Sequence, residues 1–204
     1  MDTLSVFCAD VGSVQRGNFG WAAKRNGSPD HGQSLEGLAD AVAQDLGSAL
    51  KVSLGFECPM FVPLRSDPID LTKRRTGETN PNWIGGPGST VLATGIVQVH
   101  WTLHALADSL KTTPPVFLDW LEFFRAPVGL FLWEAFVSGA AKGTSHVADA
   151  RIGLNAFLRA LPDPERSNAI TDERVISLVG VALLHSGWLK DLNVLHKRCL
   201  VIKA

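Results

Sequence analysis

Cysteine is scarce in this 204-residue chain and net charge is almost absent. There are three cysteines, Cys8, Cys58 and Cys199, and 19 Lys and Arg stand against 20 Asp and Glu for a formal net charge of −1. An odd, scattered set of thiols does not make a disulfide framework and fits a reducing, cytoplasmic environment. A charge so near zero argues against broad capture of nucleic acid, which calls for a net basic face, although it leaves room for a local basic patch. An export signal is not expected, because the only early apolar run lies between Asp2 and Asp10 and is too short. Internal repeats and low-complexity tracts are also missing. Residues 79–107 contain no Asp, Glu, Lys or Arg, but they open in a Pro- and Gly-rich turn and include Gln98, His100 and His104. They read as a buried helix rather than a membrane span.

What is present is core. With 46% hydrophobic and 19% charged residues, residues 1–204 should form a single domain that hides roughly 70% of its unfolded surface without help from disulfides. Tyrosine is absent, and the six tryptophans mostly fall at core spacing.

The pattern alternates strands and helices. Residues 5–9 and 18–25 read as strands, the second closed by an Asn26-Gly27 hairpin turn, with residues 28–33 too short and polar to pair well. Ser34 can cap a helix with Leu35, Leu38, Val42, Leu46 and Leu50 on one face, and residues 51–56 read as a buried strand ending at Glu57. Residues 59–90 show neither period and form a long loop, functional or mobile. Ser89 or Thr90 can cap a helix to about residue 110. Pro114-Pro115 precede a shorter one with Phe117, Trp120, Leu121 and Phe124 inward, and residues 128–133 form a strand ending at Glu134. Helices over about 145–161 and from a Thr171 cap, then a strand over 199–202, complete an α/β fold with a mainly parallel sheet flanked by helices on both faces.

Three of the most apolar runs end in an acid: Asp10, Glu57 and Glu134. On parallel neighbouring strands about 4.8 Å apart these carboxylates would converge at one edge. Such a cluster is stable around a cation, and an all-oxygen ligand set favours Mg or Mn over zinc. A single acid after a buried strand is also commonly just the first solvated residue, so both readings stand at this point.

The runs Phe7-Cys8-Ala9-Asp10-Val11-Gly12 and Gly20-Trp21-Ala22 resemble the opening hairpin of RNase H-like domains, in particular the family of predicted RNase H-like nucleases. Gly55-Phe56-Glu57-Cys58-Pro59-Met60 resembles that family's second acidic motif, and Trp133-Glu134-Ala135-Phe136 its third. The resemblance implies metal-dependent phosphodiester hydrolysis with Asp10, Glu57 and Glu134 as ligands. It also implies a further acid from a C-terminal helix, where Ser177 stands instead; Asp149 can take that role or be an ordinary exposed helix acid.

Arg65, Lys73, Arg74, Arg75 and Trp83 occupy the long loop, where they can grip phosphate and stack a base or simply solvate the loop. The run 85–90 lacks the lysine of a phosphate-binding loop, His100 and His104 read as core histidines beside Trp101, and no thiol has a histidine close in sequence. The leading expectation is therefore a Mg- or Mn-dependent hydrolase of nucleic acid or a phosphate-containing small molecule, with no membrane partner. Two alternatives stay open: a catalytically degenerate binding or scaffold module of the same fold, and a nucleotide-binding relative of the actin and sugar-kinase superfamily, suggested by Asp10-Val11-Gly12-Ser13.

Overall fold

The computed structural model describes residues 4–78, 82–137 and 139–204. Asp2, and Asn80 and Pro81 of the long loop, lie outside the described residues. The described residues are α/β, with five helices and a mixed sheet of seven strands. β1 (Leu4–Asp10), β2 (Gly20–Arg25) and β3 (Ser28–Gly32) form an antiparallel meander, and β4 (Lys51–Glu57) joins β1 in parallel. β7 (Gly129–Phe136) lies parallel to β4 and is itself flanked in parallel by β6 (Val116–Phe117) and β9 (Leu200–Lys203). A small separate pair joins β5 (Phe61–Pro63) to β8 (Val175–Ser177).

Pleating sorts the strand residues into two sets. One set, with Phe7, Ala9, Leu54, Phe56, Leu130, Leu132 and Val201, packs with α1 (Leu35–Gly47), α2 (Gly86–Ser109) and α5 (Leu178–His185). The other, with Val6, Cys8, Phe131, Trp133, Leu200 and Ile202, packs with Ala150, Leu154 and Phe157 of α4 (His146–Ala160). Each fully buried Phe or Leu here contributes about 1.5–3 kcal/mol relative to an exposed one. Trp133 lies flat over Gly55, where any Cβ would stand 2.3 Å from the indole.

Several elements differ from the sequence expectation. Residues 28–32 do pair with β2 along their whole length, because an edge strand needs only backbone partners and its polar side chains face water. Asn26 and Gly27, both at positive φ, make the turn, and Arg25 braces it by reaching Asp30 at 2.9 Å and Asp45 at 2.7 Å. α2 starts at Gly86 with Pro87 in its first turn, ahead of Ser89 and Thr90, and residues 61–63 form β5, so the loop over 59–90 is partly ordered into elements. Phe117 belongs to β6. In the six-residue α3 (Trp120–Arg125), Trp120 and Phe123 point inward while Leu121 and Phe124 are exposed.

No helix begins at Thr171. The Asp172 carboxylate instead accepts hydrogen bonds from the backbone and hydroxyl of Thr76, while the Thr171 N–H donates to the Thr76 carbonyl. These contacts keep the stretch extended until Ser177, whose hydroxyl accepts from the Gly180 N–H and caps α5. Ser177 is thus a helix cap rather than a helix-core residue. No helix among the described residues is long and apolar enough to cross a membrane.

Candidate metal centre

Asp10 and Glu57 end β1 and β4 as direct partners in the parallel ladder, so their side chains leave the sheet on the same side. α4 lies over that side. Its first turn comes close because β2 offers Gly20, where a Cβ would stand 2.4 Å from the Val147 nitrogen, and its middle fits over Cys8 because residue 153 is glycine. Ser145 caps the helix by accepting from the Ala148 N–H, which fixes Asp149 in the first turn, at the positive end of the helix dipole. The result is a buried group of three carboxylates, Asp10, Glu57 and Asp149, each offering an oxygen within 4.8 Å of the others.

Two nitrogen-bearing side chains border the group. Lys142 Nζ lies 3.2 Å from Glu57 and 3.6 Å from Asp149, and His146 Nδ1 lies 2.5 Å from Asp10. Asp149 also accepts from the Gly143 N–H. Glu57 Oε2, however, is sealed from solvent and has no hydrogen-bond partner among the described residues. Burial, reinforced by the charge of Asp10, pushes the Glu57 carboxyl up to about 9. Burial also raises Asp10, against the opposing pull of His146 and Lys142. For Lys142, burial favours the neutral amine, but the charges of Glu57 and Asp10 outweigh it and raise the group. The three carboxylates could together hold a metal ion, and a donor set made only of carboxylate oxygens suits a hard divalent one.

Glu134, expected in this group, faces the other way. β4 and β7 pair with Phe56, not Glu57, opposite Glu134, and that offset of one residue turns its side chain to the opposite side of the pleat. There both its oxygens meet Arg75, at 2.6 and 2.8 Å, and Oε2 also accepts from the Met60 N–H. Glu78 completes the pair from the other end of the guanidinium, and Arg75 is buried against the Phe61 ring.

The rest of the basic loop is also largely spent internally. Arg65 pairs with Asp172 at 2.9 Å and Lys73 with Asp70 at 2.6 Å, while Arg74 is exposed. The half-buried Trp83 donates its indole N–H to the Lys73 carbonyl. It helps to line a cavity of about 100 Å³ together with Pro87, Val91, Phe136 and Val137, and Glu57 and Lys142 of the acid group form part of the same wall. The Cys8, Cys58 and Cys199 thiols are buried, and burial raises all three, so none is a poised nucleophile. His100 and His104 stand at the surface rather than in the core, since the α2 face that bears them turns away from the sheet.

Lys142 and His146 are the site residues that sequence reasoning missed. His146 immediately follows the Ser145 cap and lies one helical turn before Asp149, a spacing that places both on one face. Lys142 sits in a Gly-rich connection with no periodic signal. Comparison with protein-family models, curated proteins and solved structures finds no match to this chain.

Proposed function

We propose that the protein is a divalent-metal-dependent phosphodiester hydrolase of RNase H-like architecture, with Mg or Mn held by Asp10, Glu57 and Asp149. The observation that carries this reading is the buried carboxylate triad with one oxygen of Glu57 left without a donor. The antiparallel meander β3-β2-β1 continued by parallel β4 and β7, with α4 over the ends of β1 and β2, supports the fold assignment. A metal seated there would supply Lewis-acid activation of water and of a phosphoryl oxygen.

The chain's own groups supply the remainder. Lys142, about half exposed at the rim, can hold a phosphate oxygen once its carboxylate partners turn to the ion. Asp10 binds His146 through Nδ1, which fixes the imidazole and leaves Nε2 to carry a proton to or from a leaving group.

Substrate size follows from the spent loop cations. With Arg65, Lys73 and Arg75 neutralised by acids, the described part of the loop offers no basic track leading away from the cavity, and the site fits a small phosphate ester or a chain end better than long nucleic acid. The test is Mn-dependent cleavage of bis(p-nitrophenyl) phosphate and of a short oligonucleotide. Asp149→Asn should abolish both with an unchanged circular dichroism spectrum, and undiminished cleavage by that variant would refute the assignment.

A second reading, a catalytically silent binding module, is favoured by Lys142, whose ammonium already bridges two of the acids. Titration with Mn distinguishes the two, since a silent site neutralised by Lys142 would give no thermal shift.

A further inference from the structure

Away from the acid group, α2 and α5 cross at the surface and bring two imidazoles together. His100 Nε2 lies 2.7 Å from His185 Nδ1, with the rings edge to face. One turn further along α2, the His104 ring stands parallel to that of His100 with centroids 6.2 Å apart. The two helices are fixed by what lies below. Val99, Leu103 and Leu183 are buried between them and the sheet, and the Trp188 indole N–H donates to the Leu103 carbonyl at 2.8 Å. Asp108 stands beside this cluster, 3.7 Å from His104.

We propose that His100 and His185 form a binding site for a late first-row transition-metal cation such as copper, nickel or zinc, with His104 as a third donor. Two imidazole nitrogens facing at 2.7 Å can share only one proton, so at least one ring is neutral, the form that binds metal. Nitrogens bound at about 2.0 Å to one ion lie about 2.8 Å apart at a right angle and about 3.3 Å apart in a tetrahedron. The observed pair is already close to the first value and needs only a small opening for the second. His104, on an exposed side chain at the i,i+4 position, can turn toward the same ion. Imidazole donors prefer such cations to magnesium, so this site and the acid triad select different ions.

The probe is copper(II), titrated into the full-length protein with excess magnesium present to occupy carboxylates. One ion per chain should bind, and its electron paramagnetic resonance spectrum should show coupling to at least two nitrogens. His100→Gln and His185→Gln should each weaken binding by at least about tenfold, and His104→Gln by less. Asp149→Asn should leave this binding unchanged, which separates the proposal from the assignment of the acid triad. A copper spectrum without nitrogen coupling, or unaltered affinity in both His100→Gln and His185→Gln, would overturn it. Far-ultraviolet circular dichroism confirms that each variant is folded.

Discussion

Asp10 and Glu57 are direct partners across β1 and β4, and Glu134, one residue out of register with Glu57, is not part of their group. Two acids that look equivalent in sequence therefore do different work. Glu57 keeps one oxygen without a hydrogen-bond partner among the described residues, whereas both oxygens of Glu134 are taken by Arg75.

Glu134→Gln should consequently be a stability mutation. Removing one partner of a buried ion pair leaves the guanidinium of Arg75 half-satisfied and costs on the order of 3–5 kcal/mol. Urea denaturation should show that loss, while calorimetric binding of Mn to the folded fraction stays as in the parent. Lost Mn binding with parental stability would place Glu134 in the metal site after all.

The pH dependence of the metal-free protein follows from Glu57. Its carboxyl is raised in the folded state, so the native protein binds the extra proton and the stabilising contribution is fully present below the unfolded value near 4.5. Stability should then fall as pH rises toward about 9, by no more than about 1.4 kcal/mol per pH unit from this one group. Glu57→Gln should flatten the slope. Chemical denaturation at a series of pH values checks both, and an equal slope in the variant would remove Glu57 as the cause.

Mn affinity should move in the opposite direction. Metal and proton compete for Glu57, so binding tightens with rising pH and releases protons into the buffer. Calorimetry in buffers of different ionisation enthalpy measures that release directly. Binding independent of pH between 6 and about 9 would mean that the ion does not touch this carboxylate.

Lys142→Met removes the cation that competes with the ion. Mn affinity should rise by about tenfold or more, as expected when a charge beside two of the ligands is deleted, while turnover falls because the phosphate loses its anchor. Equal affinity in the variant would show that Lys142 does not occupy the ion's place.

Binding of oligonucleotides should depend weakly on salt. With Arg74 and Lys142 as the cations of the described loop and of the acid group that are left to meet phosphate at the cavity, the slope of log K against log salt should be about −2 or shallower, and Arg74→Ala should reduce it by about one. A slope near about −5 would reveal a nucleic-acid track elsewhere on the surface.

Much of this arrangement was legible in the sequence. Apolar runs ending in Asp10 and Glu57 marked two strands and their ends, and Ser34 marked a helix start through its cap. Register was not legible. Nothing local sets Phe56 rather than Glu57 opposite Glu134, because strand stagger is decided by packing across the whole sheet. The loop charges were equally opaque, since Arg65 and, beyond its neighbour Glu78, Arg75 find their acids 107 and 59 residues away, at Asp172 and Glu134. The supposed helix after Thr171 failed for the same reason: Asp172 and Glu173 resemble a first turn, but a long-range partner, Thr76, claims the aspartate.

The tight seat of Trp133 on Gly55 has a spectroscopic consequence. That indole is shut away from water over a residue two positions before Glu57 along β4, so its fluorescence should be blue and should respond to a paramagnetic ion among the acids. Trp101, partly exposed and adjacent to His100, should emit further to the red. Quenching by manganese and by copper would then remove different colours from one emission band, letting the protein report which of the two proposed ion sites is filled without any attached dye.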